Sequence, residues 1–77
     1  MDADTAKYYN INTNGGTWDG THYYLASGQM VRNSFFSDGT YTYYLQADGT
    51  PMRDRLTYHP DGKNVIYFDS YGHEVFS

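Results

Sequence analysis

Aromatic residues recur in adjacent pairs along this chain, at spacings that fit a repeat. The pairs Tyr8-Tyr9, Tyr23-Tyr24, Tyr43-Tyr44 and Tyr67-Phe68 begin 15, 20 and 24 residues apart, and they contain seven of the ten tyrosines. A short polar stretch and a glycine follow each of the last three pairs. A repeat of this length is typical of proteins whose units bury their apolar faces against one another. The spacing therefore predicts a stack of similar units.

Turn signals separate the aromatic segments. Asn-Gly occurs at 14–15, and Asp-Gly occurs at 19–20, 38–39, 48–49 and 61–62. Flanked by β-forming residues, such dipeptides are strong hairpin signals because both residues tolerate the positive φ that tight hairpin turns need. The clearest predicted hairpin has Trp18 and Thr21 flanking Asp19-Gly20. Two more are predicted, from 35–36 to 41–45 and from 56–58 to 65–68.

These signals predict an all-β fold of consecutive β-hairpin repeats stacked as a short β-solenoid. No window of eleven residues carries a glycine-free helical pattern, so no helix is predicted. A single repeat domain spans 1–77, with units at about 7–16, 17–34, 35–55 and 56–77. The short first unit and the abrupt end fit either a fragment of a longer array or a natural terminus. An uncapped stack leaves its ends open, which makes end-to-end self-association an expected property.

The charge balance and the apolar pattern exclude nucleic-acid binding and a membrane span. The net charge is −4 and the five basic residues are scattered, whereas nucleic-acid sites are built from clustered Lys and Arg, so no nucleic-acid binding is expected. No apolar stretch approaches the roughly 18 residues of a membrane span, and the first residues do not form an export signal. The absence of cysteine fits an intracellular chain or a bacterial surface protein.

No group of residues predicts catalysis, a metal site or a cofactor. His22, His59 and His73 lack the spacing of metal ligands, and the aspartates before glycine are committed to turns. The segment 10–15 imitates the start of a calcium loop, but its amides are neutral and Thr21 stands where that loop needs glutamate, so we interpret it as an Asx-rich turn. The cluster 53–55 is either a solvated loop or a contact for an anionic polymer. The chain is predicted not to be an enzyme.

The repeats resemble the cell-wall-binding repeats of Gram-positive surface proteins, which include choline-binding modules and glucan-binding repeats. The matching runs are 21–30, 42–52 and 66–72, each with aromatic residues, a polar stretch and then glycine, and the first two end in Met30 and Met52. The resemblance covers about residues 8 to 77 and implies a β-hairpin solenoid that binds wall polymers through grooves between repeats. It also implies an extracellular location, at the cell surface or secreted.

The resemblance implies ligand-binding aromatic residues in the grooves. The candidates are Trp18, Phe35 and Tyr58, which precede the turns, and Tyr24, Tyr44 and Phe68 of the aromatic pairs. The residues before the pairs are His22, Thr42 and Ile66, where choline-binding repeats carry tryptophan, so wall carbohydrate or glucan is the preferred ligand. Tyrosine suits sugars because its ring covers their apolar face and its hydroxyl forms a hydrogen bond. The alternatives are choline on teichoic acid, bound in degenerate aromatic cages, and a structural spacer or protein-interaction repeat in which these rings only pack.

Overall fold

Eight short strands and one four-residue helix are present in the residues that the structure, a computed structural model, describes: 8–58 and 63–75. The chain is mostly β, as predicted. In chain order the elements are β1 (Tyr8–Asn10), α1 (Ile11–Asn14), β2 (Thr17–Trp18), β3 (Tyr23–Tyr24), β4 (Ser34–Ser37), β5 (Thr42–Leu45), β6 (Arg55–Tyr58), β7 (Val65–Phe68) and β8 (Glu74–Val75).

The strands form three antiparallel hairpins in three small sheets. β2 pairs with β3, and Trp18 lies opposite Tyr23. β4 pairs with β5, and Phe36 lies opposite Tyr43. β6 pairs with β7, and β8 adds a further antiparallel strand to β7. We call β2–β3, β4–β5 and β6–β7 the first, second and third hairpins. The predicted Asp-Gly turn of the third hairpin, at 61–62, lies outside the described residues, as does His59.

The strand β1 pairs with the second hairpin rather than with the first. It runs parallel to β4, with Tyr8 beside Phe35 and Tyr9 beside Phe36. The first hairpin therefore lies within the connection between two paired strands. Nothing in the turn signals predicts this pairing, because parallel strands are joined by long crossovers and not by tight turns.

One kind of turn closes the first and second hairpins. The backbone N–H of Asp19 donates to the carbonyl of His22, 3.2 Å away, and its carboxylate accepts from the N–H groups of Thr21 and His22. Gly20 adopts a φ of 96°, so the central residues are Gly20 and Thr21, with glycine first as type II′ turns prefer. Asp38 repeats these contacts in the second hairpin. The sequence prediction centred the first turn one residue too early, because the aspartate caps the turn from outside it.

A second kind of turn follows each of the last three aromatic pairs. It spans 25–29, 46–50 and 69–73, and in each the N–H of the first residue donates to the carbonyl of the fifth at 2.8 to 3.0 Å. The fourth residue is always a glycine with positive φ, as expected for a three-residue hairpin loop. These glycines are Gly28, Gly49 and Gly72.

The helix α1 corrects the prediction that the chain contains none. It is only one turn long and begins at Asn10, whose side chain accepts from the N–H of Asn12 at 2.8 Å. It ends at Gly15, whose N–H donates to the carbonyl of Ile11. The Asx contact expected from the asparagines is therefore present, but it caps a helical turn, which is too short to show a periodic apolar pattern.

The core consists of two clusters on opposite faces of the second hairpin. Phe35 and Phe36 are neighbours on β4, so their side chains point to opposite faces. Phe36 belongs to a cluster with the first hairpin, and Phe35 to a cluster with the third. The buried members are Tyr23, Val31, Phe36, Tyr43 and Leu45 in the first cluster, and Phe35, Ile66 and Phe68 in the second. The hairpins thus pack in layers, and a continuous β-solenoid stays a prediction.

Among the described residues, no helix is long and apolar enough to cross a membrane.

Candidate functional site

Two of the six sequence-predicted ligand residues are buried in the core, and Trp18 and Tyr44 pack against it. Phe35 is 3% exposed and Phe68 is fully buried, both in the cluster between the second and third hairpins. Trp18 is half-buried, and its ring centroid lies 4.9 Å from that of Phe36 and 5.0 Å from that of Tyr43. Phe35 and Phe68 therefore leave almost no ring surface for a ligand, whereas Trp18 presents part of its ring.

Exposed surface also remains on Tyr24, Tyr44 and Tyr58, but these predicted residues lie on three different hairpins. Tyr24 is half-buried, with its ring 6.4 Å from His22. Tyr44 is half-buried and packs its edge on Phe35, 5.0 Å between centroids. Tyr58 is 73% exposed on β6.

Four aromatic rings that were not selected from the sequence meet between the second and third hairpins. The imidazole of His73 stacks on the ring of Tyr41, with centroids 3.6 Å apart and planes 2° from parallel. The ring centroid of Tyr71 lies 5.8 Å from that of His73. The rings of Tyr43 and His73 meet edge to face, with centroids 5.3 Å apart. We call these residues, Tyr41, Tyr43, Tyr71 and His73, the four-ring cluster.

Two carboxylates border the four-ring cluster. Asp38 accepts a hydrogen bond of 3.0 Å from the hydroxyl of Tyr43. Asp69 places one carboxylate oxygen 3.9 Å from Nδ1 of His73, while its other oxygen accepts from the N–H groups of Tyr71 and His73, each at 2.9 Å. The cluster therefore combines aromatic faces with negative charge.

Hydrogen bonds stabilise the charged form of Asp38. Burial alone would raise the pKa of Asp38, but hydrogen bonds from the N–H groups of Tyr41 and Thr40 and from the hydroxyl of Tyr43 lower it below its usual value. Burial, together with the bond to this carboxylate, raises the pKa of Tyr43 above its usual range. Asp38 thus stays anionic and Tyr43 stays a neutral donor at neutral pH.

Both kinds of turn are needed to assemble the cluster. Asp38 and Tyr41 belong to the turn of the second hairpin, while Asp69, Tyr71 and His73 belong to the turn after the third aromatic pair. Tyr41 is 47% exposed and Tyr71 is 73% exposed, so both present ring surface to solvent.

A glycine lets this turn approach the preceding hairpin closely. A Cβ at Gly72 would lie 3.0 Å from Cβ of Pro51 and 3.5 Å from Cδ2 of Tyr43. The same contact recurs one hairpin earlier, where a Cβ at Gly49 would lie 2.9 Å from both Cδ2 of His22 and Sδ of Met30. At this junction between the first and second hairpins, His22 and Asp48 lie near Gly49. The described ring contacts there include no stacked set comparable to the four-ring cluster.

A groove of about 210 Å³ lies beside β1. Tyr8 and Tyr9 line it together with the polar side chains of Asn10, Ser37 and Thr42. Tyr8 is 57% exposed and stacks on Phe35, with ring centroids 4.9 Å apart. The groove combines one open ring with hydrogen-bonding groups, which are the elements of a sugar site.

The four-ring cluster had a weak signal in the sequence. Tyr41 directly follows an Asp-Gly-Thr turn and Tyr71 directly precedes a turn glycine. Those positions bring side chains to hairpin ends, but the contact between ends depends on how far successive hairpins are offset. The spacing of the histidines gives no sign of this contact, whereas the structure shows His73 half-buried among tyrosines.

Within 8–58 and 63–75, no three metal-binding side chains of His, Cys, Asp or Glu come together.

The fold is similar to solved structures from Streptococcus pneumoniae. The modular autolysin LytC matches with a TM-score of 0.63 and 25% identity over 75% of this chain, and a LytC structure in complex with a synthetic peptidoglycan ligand gives the same values. The choline binding domain of Spr1274 matches with a TM-score of 0.59 and 18% identity over 79% of this chain and 89% of that domain. The chain has a choline-binding-like fold.

The chain covers only 14% of the LytC chain, and so corresponds to a small part of that autolysin. No protein-family model matches the sequence, and no curated protein matches it significantly. The predicted likeness to choline-binding modules is therefore confirmed at the level of the fold, while the likeness to glucan-binding repeats stays a prediction.

Proposed function

We propose that this chain is a non-catalytic module that attaches a protein to the bacterial cell wall, outside the cell. The ligand it recognises is a quaternary ammonium group such as choline on a wall polymer. The observation that carries this proposal is the four-ring cluster with its two carboxylates, at a junction between hairpins. The match in fold to a choline binding domain supports it.

The chemistry of the cluster favours a cation. Ring faces attract cations through their negative electrostatic potential, by about 0.5–1 kcal/mol per ring at exposed sites. The carboxylates of Asp38 and Asp69 add a negative field at the same place. A quaternary ammonium cannot donate hydrogen bonds, so it gains from ring faces and nearby charge more than from directed polar groups. With Tyr41 and Tyr71 as exposed walls, we expect weak binding, strengthened by avidity when several modules act together.

Wall carbohydrate is the second candidate ligand. The groove beside β1 offers the open ring of Tyr8 with polar groups around it. The exposed ring of Tyr58 and the partly exposed rings of Trp18, Tyr24 and Tyr44 remain the sequence-predicted contacts for such a ligand. With either ligand, the buried rings of Phe35 and Phe68 would act by packing against neighbouring rings such as that of Tyr44. A spacer that binds neither ligand is the third alternative.

The test is a titration of the full chain with choline and, in parallel, with 3,3-dimethyl-1-butanol, its uncharged isostere. Chemical shifts of the aromatic protons of Tyr41, Tyr71 and His73 report binding at the cluster. We expect saturable shifts with choline at about millimolar concentration and much smaller ones with the isostere, because only the charged ligand gains the cation–π attraction. Equal responses to the two ligands would contradict cation recognition.

Two tyrosine variants locate the ligand. Tyr71→Leu removes one ring from the cluster and should weaken choline binding about two- to fivefold. Tyr58→Leu is the matched control, because Tyr58 is equally exposed, at 73%, but lies outside the cluster. Loss of choline binding in Tyr58→Leu alone would place the ligand site on β6 of the third hairpin. Binding of wall glycans without any response to choline would favour the carbohydrate alternative, and no binding to choline, glycans or wall preparations would favour the spacer.

A further inference from the structure

One face of the sheet formed by β6, β7 and β8 is apolar and exposed. Residues opposite one another in an antiparallel pair share a face, so Leu56 lies with Tyr67 and Val75, and Tyr58 lies with Val65. These are the five positions on this side of the three described strands, and we call them the outer face. Their exposed fractions are 67% for Leu56, 73% for Tyr58, 49% for Val65, 40% for Tyr67 and 43% for Val75.

The opposite face of the same sheet is packed along β7, whereas Arg55 of β6 on that face is exposed. Ile66 is 6% exposed and Phe68 is fully buried, both against Phe35 of the second hairpin. The strand β7 is therefore apolar on both sides, although within the described residues only one of them is covered. A solvated antiparallel strand normally carries polar residues on its exposed side, so the outer face has the composition of an interface.

The second hairpin shows what covers the equivalent face. Its strands pair in the same register as those of the third, with Ser34 opposite Leu45 where the third hairpin has Arg55 opposite Phe68. Phe35 therefore occupies the position of Leu56.

Phe35 is 3% exposed whereas Leu56 is 67% exposed. The third hairpin lies against Phe35 through Ile66 and Phe68. The rings of Tyr8 and Tyr44 also contact Phe35, so the third hairpin accounts for part of the difference. The face that holds Leu56 thus continues a series of interfaces between hairpins in which another hairpin is the covering element.

We propose that the outer face binds the outer face of a second copy of this chain, forming a symmetric dimer. A two-fold arrangement brings the aliphatic side chains of Leu56, Val65 and Val75 of each copy against the apolar face of the other. Such an interface needs one self-complementary surface per copy, and the outer face supplies it.

A head-to-tail stack of copies finds no matching apolar surface on the described part of the first hairpin. The first hairpin uses Trp18 and Tyr23 to contact the second hairpin. The opposite side of that hairpin carries Thr17, which is exposed, and Tyr24, which is half-buried. The inner positions that cover Phe35 within the chain, Ile66 and Phe68, are already buried. The outer face of one copy therefore finds its best match in the outer face of another.

Sedimentation velocity of the full chain, without ligand, tests the proposal. We expect a monomer at about 10 μM and a dimer as the concentration approaches about 1 mM, the range of a weak interface. Tyr58→Thr and Leu56→Thr should each weaken the dimer at least tenfold, because each substitution acts twice in a symmetric interface. Threonine keeps a high strand propensity, so the third hairpin should remain folded, which circular dichroism would verify.

Tyr71→Thr is the matched control, since Tyr71 and Tyr58 are both 73% exposed but Tyr71 lies in a turn away from the outer face. It should leave the dimer unchanged. A chain that stays monomeric at every concentration would overturn the proposal, and so would equal weakening by Tyr58→Thr and Tyr71→Thr. Oligomers that grow beyond the dimer would show open-ended stacking instead. None of these outcomes depends on choline or glycan binding, so the test is independent of the proposed function.

Discussion

Alanine substitution of two glycines in equivalent turns should have unequal costs. Gly28 and Gly49 each occupy the fourth position of the turn that follows an aromatic pair, with φ of 91° and 87°. A Cβ at Gly28 would meet no atom within 4 Å, whereas a Cβ at Gly49 would lie 2.9 Å from Cδ2 of His22 and 3.2 Å from Cε of Met30. The backbone conformation is shared, so the difference between the two variants isolates the contact between hairpins.

The magnitudes follow from these two contributions. An L-residue in this left-handed region costs about 1–2 kcal/mol, which should be the whole effect of Gly28→Ala. Gly49→Ala adds the cost of overpacking, about 1–3 kcal/mol, because the imidazole of His22 and the thioether of Met30 must both move. In a chain of this size each kcal/mol lowers Tm by about 4–8 °C.

Urea unfolding followed by the fluorescence of Trp18 would measure both variants under the same conditions. We expect Gly49→Ala to be less stable than Gly28→Ala by more than 1 kcal/mol, within the range given by overpacking. In the background of Met30→Ala, Gly49→Ala should cost less than in the native chain, because one of the two side chains in contact has been removed. Equal losses in the two single variants would refute the close approach of the second turn to the first hairpin.

Two further predictions concern the core and the acid stability. Phe36 is 1% exposed, and its ring is stacked 4.1 Å from that of Tyr23. Phe36→Ala should lower the free energy of unfolding by about 3–5 kcal/mol, and Phe36→Leu by clearly less, as measured by urea unfolding. Similar losses for the two variants would indicate a loosely packed cluster. The folded-state pKa of Asp38 is lower than its ordinary value of 3.8, so its carboxylate stabilises the fold above that pH and the contribution is lost as the pH falls through the folded-state pKa. The stability advantage of the native chain over Asp38→Asn should therefore shrink on acidification in thermal melts, and an advantage that is independent of pH would contradict it.

The hairpins could be predicted because their causes are local. An aspartate before glycine caps its own turn by accepting bonds from the N–H groups two and three residues later, so the dipeptide alone marks the turn. The helix α1 escaped prediction for the opposite reason. Four residues cannot show a helical period, and the capping contact of Asn10 is compatible with a plain turn.

The site was harder to predict than the strands because burial depends on neighbouring hairpins. Phe35 and Tyr58 both precede an Asp-Gly turn in the sequence, yet Phe35 is 3% exposed and Tyr58 is 73% exposed. Within 8–58 and 63–75, the second hairpin is packed against another hairpin on each side, and the third hairpin on one side. Likewise, the stacking of His73 on Tyr41 joins two turns far apart in the chain, and only the offset between hairpins brings them together.

The parallel pairing of β1 with β4 has a consequence for the order in which the chain folds. Each hairpin closes a short loop, and such contacts form early because little chain entropy is lost. We expect β1 to pair with β4 after β4 pairs with β5, because the β1–β4 contact closes a longer loop. Its docking then closes the chain around the first hairpin, whose Tyr23 already packs beside Tyr9. We therefore expect β1 to dock late in folding. Its dissociation from β4 should be the first step in the separation of the first hairpin from the second.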